Sequence, residues 1–147
     1  LLLVNKYIKT TIVTMKPVKQ EDSLGCAVAC VAFVLKITYQ ETLELFDDGQ
    51  TRVKSKANFY CPEIVEILNN AGLNYTWQKL SKKPRKEIYN DFSIVFIKRS
   101  SKYPYGHFLC RHNNKWVDPW VNLPDKNIKA GFREELPGEP TYAIYKK

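Results

Sequence analysis

Gln20-Glu21-Asp22-Ser23-Leu24-Gly25-Cys26-Ala27-Val28-Ala29-Cys30 leads directly into Val31-Ala32-Phe33-Val34-Leu35. Residues 27–35 are apolar without a break, and a helix that is apolar all round is a buried helix. Gly25 before it and Lys36 after it mark its ends. A cysteine therefore opens a core helix, with Gln20 in the loop ahead of it. Far downstream lie Gly106-His107-Phe108 and Trp116-Val117-Asp118-Pro119.

Outward from that helix, Thr38-x-x-Glu41 reads as a capping box that starts a second helix, running through about Phe46. Asp47-Asp48-Gly49 is expected to close it, and a loop carrying Arg52, Lys54 and Lys56 follows. Pro62 at a first helical position and Gly72 just past the end bracket a third helix, Pro62 to Ala71. Ile64, Val65, Ile67 and Leu68 give it one apolar face. After Gly72 the period changes to two. Strands are expected over 74–80, Phe92 to Lys98, His107 to His112, Lys115 to Pro119 and Thr141 to Lys146, with a short helix from Pro84 to Tyr89. Helices first and a mainly antiparallel sheet second make an α+β domain, with an N-terminal helical half and a C-terminal antiparallel β-sheet.

The 147 residues suit one domain with a real core. It is read over residues 15–147, with 1–14 as an N-terminal extension; Met15 is the only methionine and an alternative start. A hydrophobic share of 44% and an aromatic share of 13% exclude a disordered chain. The net charge of +8 favours acidic partners and carries no information on fold. None of the usual nucleic-acid motifs is present, so a nucleic-acid partner is not expected. Lys6 and Lys9 interrupt the apolar start, which argues against a secretory signal, and no run has the length of a membrane span. Four cysteines without a CxxC pair read as free thiols in a reducing cytoplasm.

The strand pair carries a geometric argument. A two-residue turn at Asn113-Asn114 puts Leu109 opposite Asp118, and His107 shares the face of Leu109. His107 and Asp118 are then diagonal cross-strand neighbours, about 7–8 Å apart at the backbone, close enough for a side-chain hydrogen bond. A four-residue loop keeps this arrangement, whereas a three-residue loop would put the two on opposite faces.

Cysteine at a helix N-terminus, histidine and a carboxylate in reach of each other are the parts of nucleophilic thiol chemistry. The helix dipole favours an anion at Cys26, and a protonated His107 would favour the thiolate further. His107 would return the proton to a leaving amine. Asp118 would fix the imidazole tautomer, and Gln20 would present its amide to the oxyanion beside the Cys26 N–H. His112, beside the turn and on the other face, is read as a surface residue. Cys30 is assigned to the core, Cys61 and Cys110 to structural positions. A zinc site from Cys26, Cys30, Cys61, His107 or Cys110 lacks paired ligand spacing, so no metal or cofactor is expected. Tyr103, Tyr105, Trp116 and Trp120 cluster around His107 and Asp118; packing is the default reading, with some lining a substrate groove.

At these residues the chain resembles the bacteriocin-processing cysteine peptidases, papain-like domains that cut leader peptides after a double glycine, usually at the N-terminus of an ABC exporter. Gln20, Cys26, Cys30, Gly106-His107-Phe108 and Asp118-Pro119 carry the resemblance, which covers about residues 15–147. It implies a papain-like fold, Cys26 as nucleophile, His107 as base, Asp118 as orienting acid and Gln20 as oxyanion donor. It also implies a peptide or protein substrate, touched by Ala27, Tyr105, Gly106 and Trp120, in a free-standing member without the exporter. Gly25 stands where the family usually has Asp, and Ala27 where it usually has Gly, which bears on double-glycine specificity. Two rivals keep the same parts: an amidase, deamidase or transamidase using the same triad, and a peptide-binding domain without turnover.

Overall fold

The apolar run after Gly25 forms the helix expected of it, α1 (Cys26–Leu35), whose residues Ala27 to Val34 are all buried. The computed structural model describes residues 15–55, 59–83 and 85–147. The extension over 1–14, Lys56 and Pro84 lie outside the described residues. Lys36 ends α1 in a left-handed conformation (φ 60°), where its N–H reaches back to the last turn. Both arms of the Thr38/Glu41 capping box are made at 3.0 Å, and they start α2 (Tyr39–Leu43).

α2 is shorter than the sequence suggests, because residues 44–46 continue as turns. Asp47-Asp48-Gly49 does not simply stop it. Asp48 adopts φ 53° and Gly49 opens a one-turn helix, α3 (Gly49–Arg52). Arg52 accounts for the extra turn: its guanidinium donates to the Asp47 carbonyl at 2.8 Å and forms a two-point pair with Glu63 at 2.7 Å. Glu63 belongs to α4 (Cys61–Asn70), which starts one residue ahead of Pro62 and buries Ile64, Ile67 and Leu68.

Among the described residues the strands are β1 (Tyr75–Lys79), β2 (Ile94–Ile97), β3 (His107–His112), β4 (Lys115–Asp118), β5 (Gly131–Arg133) and β6 (Pro140–Lys146). They form one antiparallel sheet in the order β1-β6-β2-β3-β4-β5. A 3₁₀ turn, Lys86–Tyr89, stands where the short helix was expected. β5 was not anticipated: three residues with a half-exposed pattern give no periodic signal. The chain is thus α+β, helices first and strands second.

Alternation divides the sheet into two cores. Ile94, Phe108, Cys110, Val117 and Ile144 pack under α1 and α4. Val95, Ile97, Leu109, Trp116 and Ala143 build a second cluster with Ile88 and Tyr103. His112 belongs to the α1 side, as its position in the strand dictates, but it is not a surface residue. Its side chain is only 13% exposed, stacked on Phe92 at 5.1 Å and edge-on to Phe33 at 5.5 Å. Burying a ring between two aromatics here outweighs the polarity of the imidazole.

The N-terminal loop is fastened to the sheet where β4 ends: the Gln20 N–H donates to the Pro119 carbonyl at 3.2 Å. Gly106, just before β3, has φ 73°, and a Cβ there would overlap the Phe96 ring. Gly106→Ala is expected to lose about 1–2 kcal/mol from left-handed backbone strain alone, with a further loss from displacing Phe96. Urea denaturation of the variant measures it, and an unchanged midpoint would contradict this packing.

Candidate functional site

Asn113 and Asn114 both have positive φ, 52° and 63°, as a two-residue type I′ turn requires. The register that follows pairs Cys110 with Val117, Arg111 with Trp116 and His112 with Lys115. His107 and Asp118 consequently share a face, and His107 Nε2 lies 2.7 Å from Asp118 Oδ1. Both side chains are buried, Asp118 completely. Cys26 lies within electrostatic reach of the His107 ring, and both line one cavity. With Nε2 committed to Asp118, Nδ1 is the nitrogen left for the thiol. Cys26, His107 and Asp118 therefore meet, from the first residue of α1, the first of β3 and the last of β4.

Asp118 holds more partners than the sequence suggested. The Trp120 N–H donates to Oδ1 at 2.9 Å, and Arg133 Nε donates to Oδ2 at 2.6 Å. Arg133 comes from the unanticipated β5, and no motif pointed to it. Burial alone would push the Asp118 carboxyl up; the bond and charge of His107, followed by Arg133 and the Trp120 N–H, hold it below the usual carboxylate range. Burial likewise opposes the charged form of His107. The bond and charge of Asp118, together with the neighbouring Cys26 sulfur, outweigh it and raise the imidazole to about 9. Tyr103, itself buried, stacks on the ring at 4.9 Å and 16° between planes, which fixes its plane.

Gln20 is buried beside the site, but its amide nitrogen faces away from an oxyanion role. Nε2 donates to the Asp22 carbonyl at 2.9 Å and the Ser23 carbonyl at 3.2 Å, which uses both its protons, while Oε1 has no partner. In this conformation the side chain braces the loop that delivers Cys26. That loop has a second brace: the Tyr39 hydroxyl donates to Asp22 Oδ2 at 3.0 Å. A Cβ on Gly25 would overlap that hydroxyl, so the Tyr39 ring fills the space of a side chain at position 25.

A cavity of about 850 Å³ opens over Cys26 and His107. Tyr105, Gly106 and Trp120 line it, as anticipated. Ala27 does not: it is fully buried in the core, because one residue along a helix turns the side chain about 100° away from the face of Cys26. Phe59, Tyr60, Phe96 and Tyr142 add aromatic wall. Cys61, read as structural, also lines the cavity, and burial raises its thiol to about 11. Cys30 and Cys110 are buried, and burial raises both thiols well above the ordinary range. Lys54, Arg99 and Lys102 line the cavity, and no acidic residue does among the described residues. Among these residues no cluster of His, Cys, Asp or Glu could hold a metal ion, and no helix is long and apolar enough to cross a membrane.

The raised His107 value has a defined consequence for stability. An imidazole that titrates at 6.5 unfolded and about 9 folded contributes stability fully present below pH 6.5 and lost as pH rises through 9. The urea midpoint is expected to fall over that window in the native protein and to fall less steeply in His107→Gln; parallel profiles would refute the coupling. No protein-family model matches this chain and no curated protein does, so the functional argument rests on the geometry of the site itself.

Proposed function

We propose that this chain is a cysteine peptidase of papain-like architecture that hydrolyses a peptide bond through Cys26, His107 and Asp118, as its resemblance to the bacteriocin-processing peptidases implies. One observation carries the reading: the buried His107 ring is held by the Asp118 carboxylate at 2.7 Å and shares with Cys26 the wall of a cavity large enough for several residues of peptide. A surface histidine or a merely buried cysteine has no need of that arrangement.

The Cys26 thiolate attacks the carbonyl and His107, protonated at neutral pH, gives its proton to the leaving amine. The thioester is then cleaved by water, with His107 as base. The backbone N–H of Cys26, the first residue of a helix with no side-chain cap, would stabilise the oxyanion. Gln20 supports the step by holding residues 22 and 23 in place. Its amide reaches the oxyanion only if it gives up those carbonyls. Three cations and no carboxylate among the described residues around an aromatic cavity favour substrates with acidic and large apolar side chains.

A mixture of synthetic peptides spanning acidic and basic sequences, followed by mass spectrometry, tests the reading. Cleavage is expected for the native protein, to be abolished in Cys26→Ala with the fold intact, and to fall above about pH 9 as His107 loses its proton. Asp118→Asn is expected to slow it roughly 100- to 10,000-fold without erasing it. Cleavage that survives Cys26→Ala would sink the nucleophile assignment. Peptide capture that is unaffected by Cys26→Ala and never followed by cleavage would make the domain a binder.

A further inference from the structure

We infer that Arg133 is a positioning residue for this site: its guanidinium pins the Asp118 carboxylate so that a single oxygen faces His107. The inference deepens the thiol-hydrolase reading and rests on it for the roles of Cys26 and His107.

Asp118 sits on β4, between β3 and β5. Its partner on β5 is Gly131, and Arg133, two residues on, shares its face, since Arg133 pairs with Trp116. His107 stands in the matching diagonal position on β3. The carboxylate is therefore flanked by one basic side chain from each neighbouring strand, at 2.6 Å to Arg133 and 2.7 Å to His107. A carboxylate held through one oxygen alone can still swing about its χ2 bond, which is soft. With Oδ2 on Arg133 and Oδ1 on His107 and the Trp120 N–H, the plane is fixed from both sides.

Arg133 also donates through Nη2 to the Val121 carbonyl at 3.2 Å. The Val121 N–H in turn donates to Lys129 at 2.8 Å. One guanidinium thus joins the acid to the turn that supplies its other donor. Lysine can keep the charge at this position but has no planar fork to hold two acceptors at once. Gly131 lets β5 come this close, since a Cβ there would lie 2.9 Å from Val121 Cγ1.

The test needs no peptide, so it separates this role from the peptidase reading. Proton NMR at pH 7 is expected to show a slowly exchanging, downfield Nε2–H of His107 in the native protein. In Arg133→Gln that signal is expected to disappear into exchange with water. Alkylation of Cys26 by iodoacetamide, mapped by mass spectrometry, is expected to slow about 10- to 100-fold, the loss typical of removing an outer partner of a held imidazole. Arg133→Lys should recover part of both. Phe132→Ala, on the half-exposed side of the same strand, should change neither.

A native signal and an alkylation rate within about two-fold of native in Arg133→Gln would overturn the inference. If Arg133→Gln fails to fold by circular dichroism, Arg133→Lys decides alone. A signal that broadens there while the fold holds supports the clamp, and a native one refutes it. Altered resonance in a protein that cleaves no peptide would keep the clamp and remove the peptidase.

Discussion

A fully buried carboxylate organises this molecule. Taking an isolated carboxylate out of water is prohibitively unfavourable, and Asp118 remains ionised only because three donors converge on it from β3, β5 and the turn after β4. Each donor makes a demand on the fold. The hairpin must hold a turn of even length, or His107 and Asp118 fall on opposite faces. β5 must lie beside β4 despite its three residues. Residues 119–121 must curl back so that a main-chain N–H points inward. The local geometry of the sheet edge follows from satisfying one acid.

The two halves meet around that point. α1 packs on the face of the sheet opposite the one that carries His107 and Asp118, and of its residues only Cys26 lines the cavity. This explains why Cys26 is half-buried while every residue from Ala27 to Val34 is buried. The bond from the Gln20 N–H to the Pro119 carbonyl ties the loop before the helix to the strand end beyond the acid. Sequence-distant parts are thus held together by main-chain bonds as well as by side-chain ones.

Much of this was legible in the chain. An unbroken apolar run as long as 27–35 suits a buried helix, whereas the shorter run 94–97 is a strand, and Asn113-Asn114 has one favoured turn, from which the His107–Asp118 contact follows without knowledge of any relative. What escaped reading was set by tertiary context. Gly131-Phe132-Arg133 is too short to show a period, so Arg133 went unseen although it is the shortest ion pair to the acid. Gln20 was placed beside the site, but the orientation of its amide depends on which carbonyls the loop exposes, and a sequence does not display that. His112 looked solvated because it is polar and next to a turn; two neighbouring phenylalanines decided otherwise. Ala27 was misplaced because adjacency in sequence to Cys26 is not adjacency on a helix.

The Tyr39 ring beneath Gly25 has an evolutionary consequence. Position 25 can hold a side chain only if position 39 gives up its hydroxyl, and position 39 can hold tyrosine only while 25 stays bare. The two sites therefore form a single heritable unit, although one ends a loop and the other begins a separate helix. Relatives that place an acid directly before this cysteine should carry a smaller residue in the partner site. An intermediate with both side chains would be crowded and one with neither would leave a void, so the two positions are expected to change together.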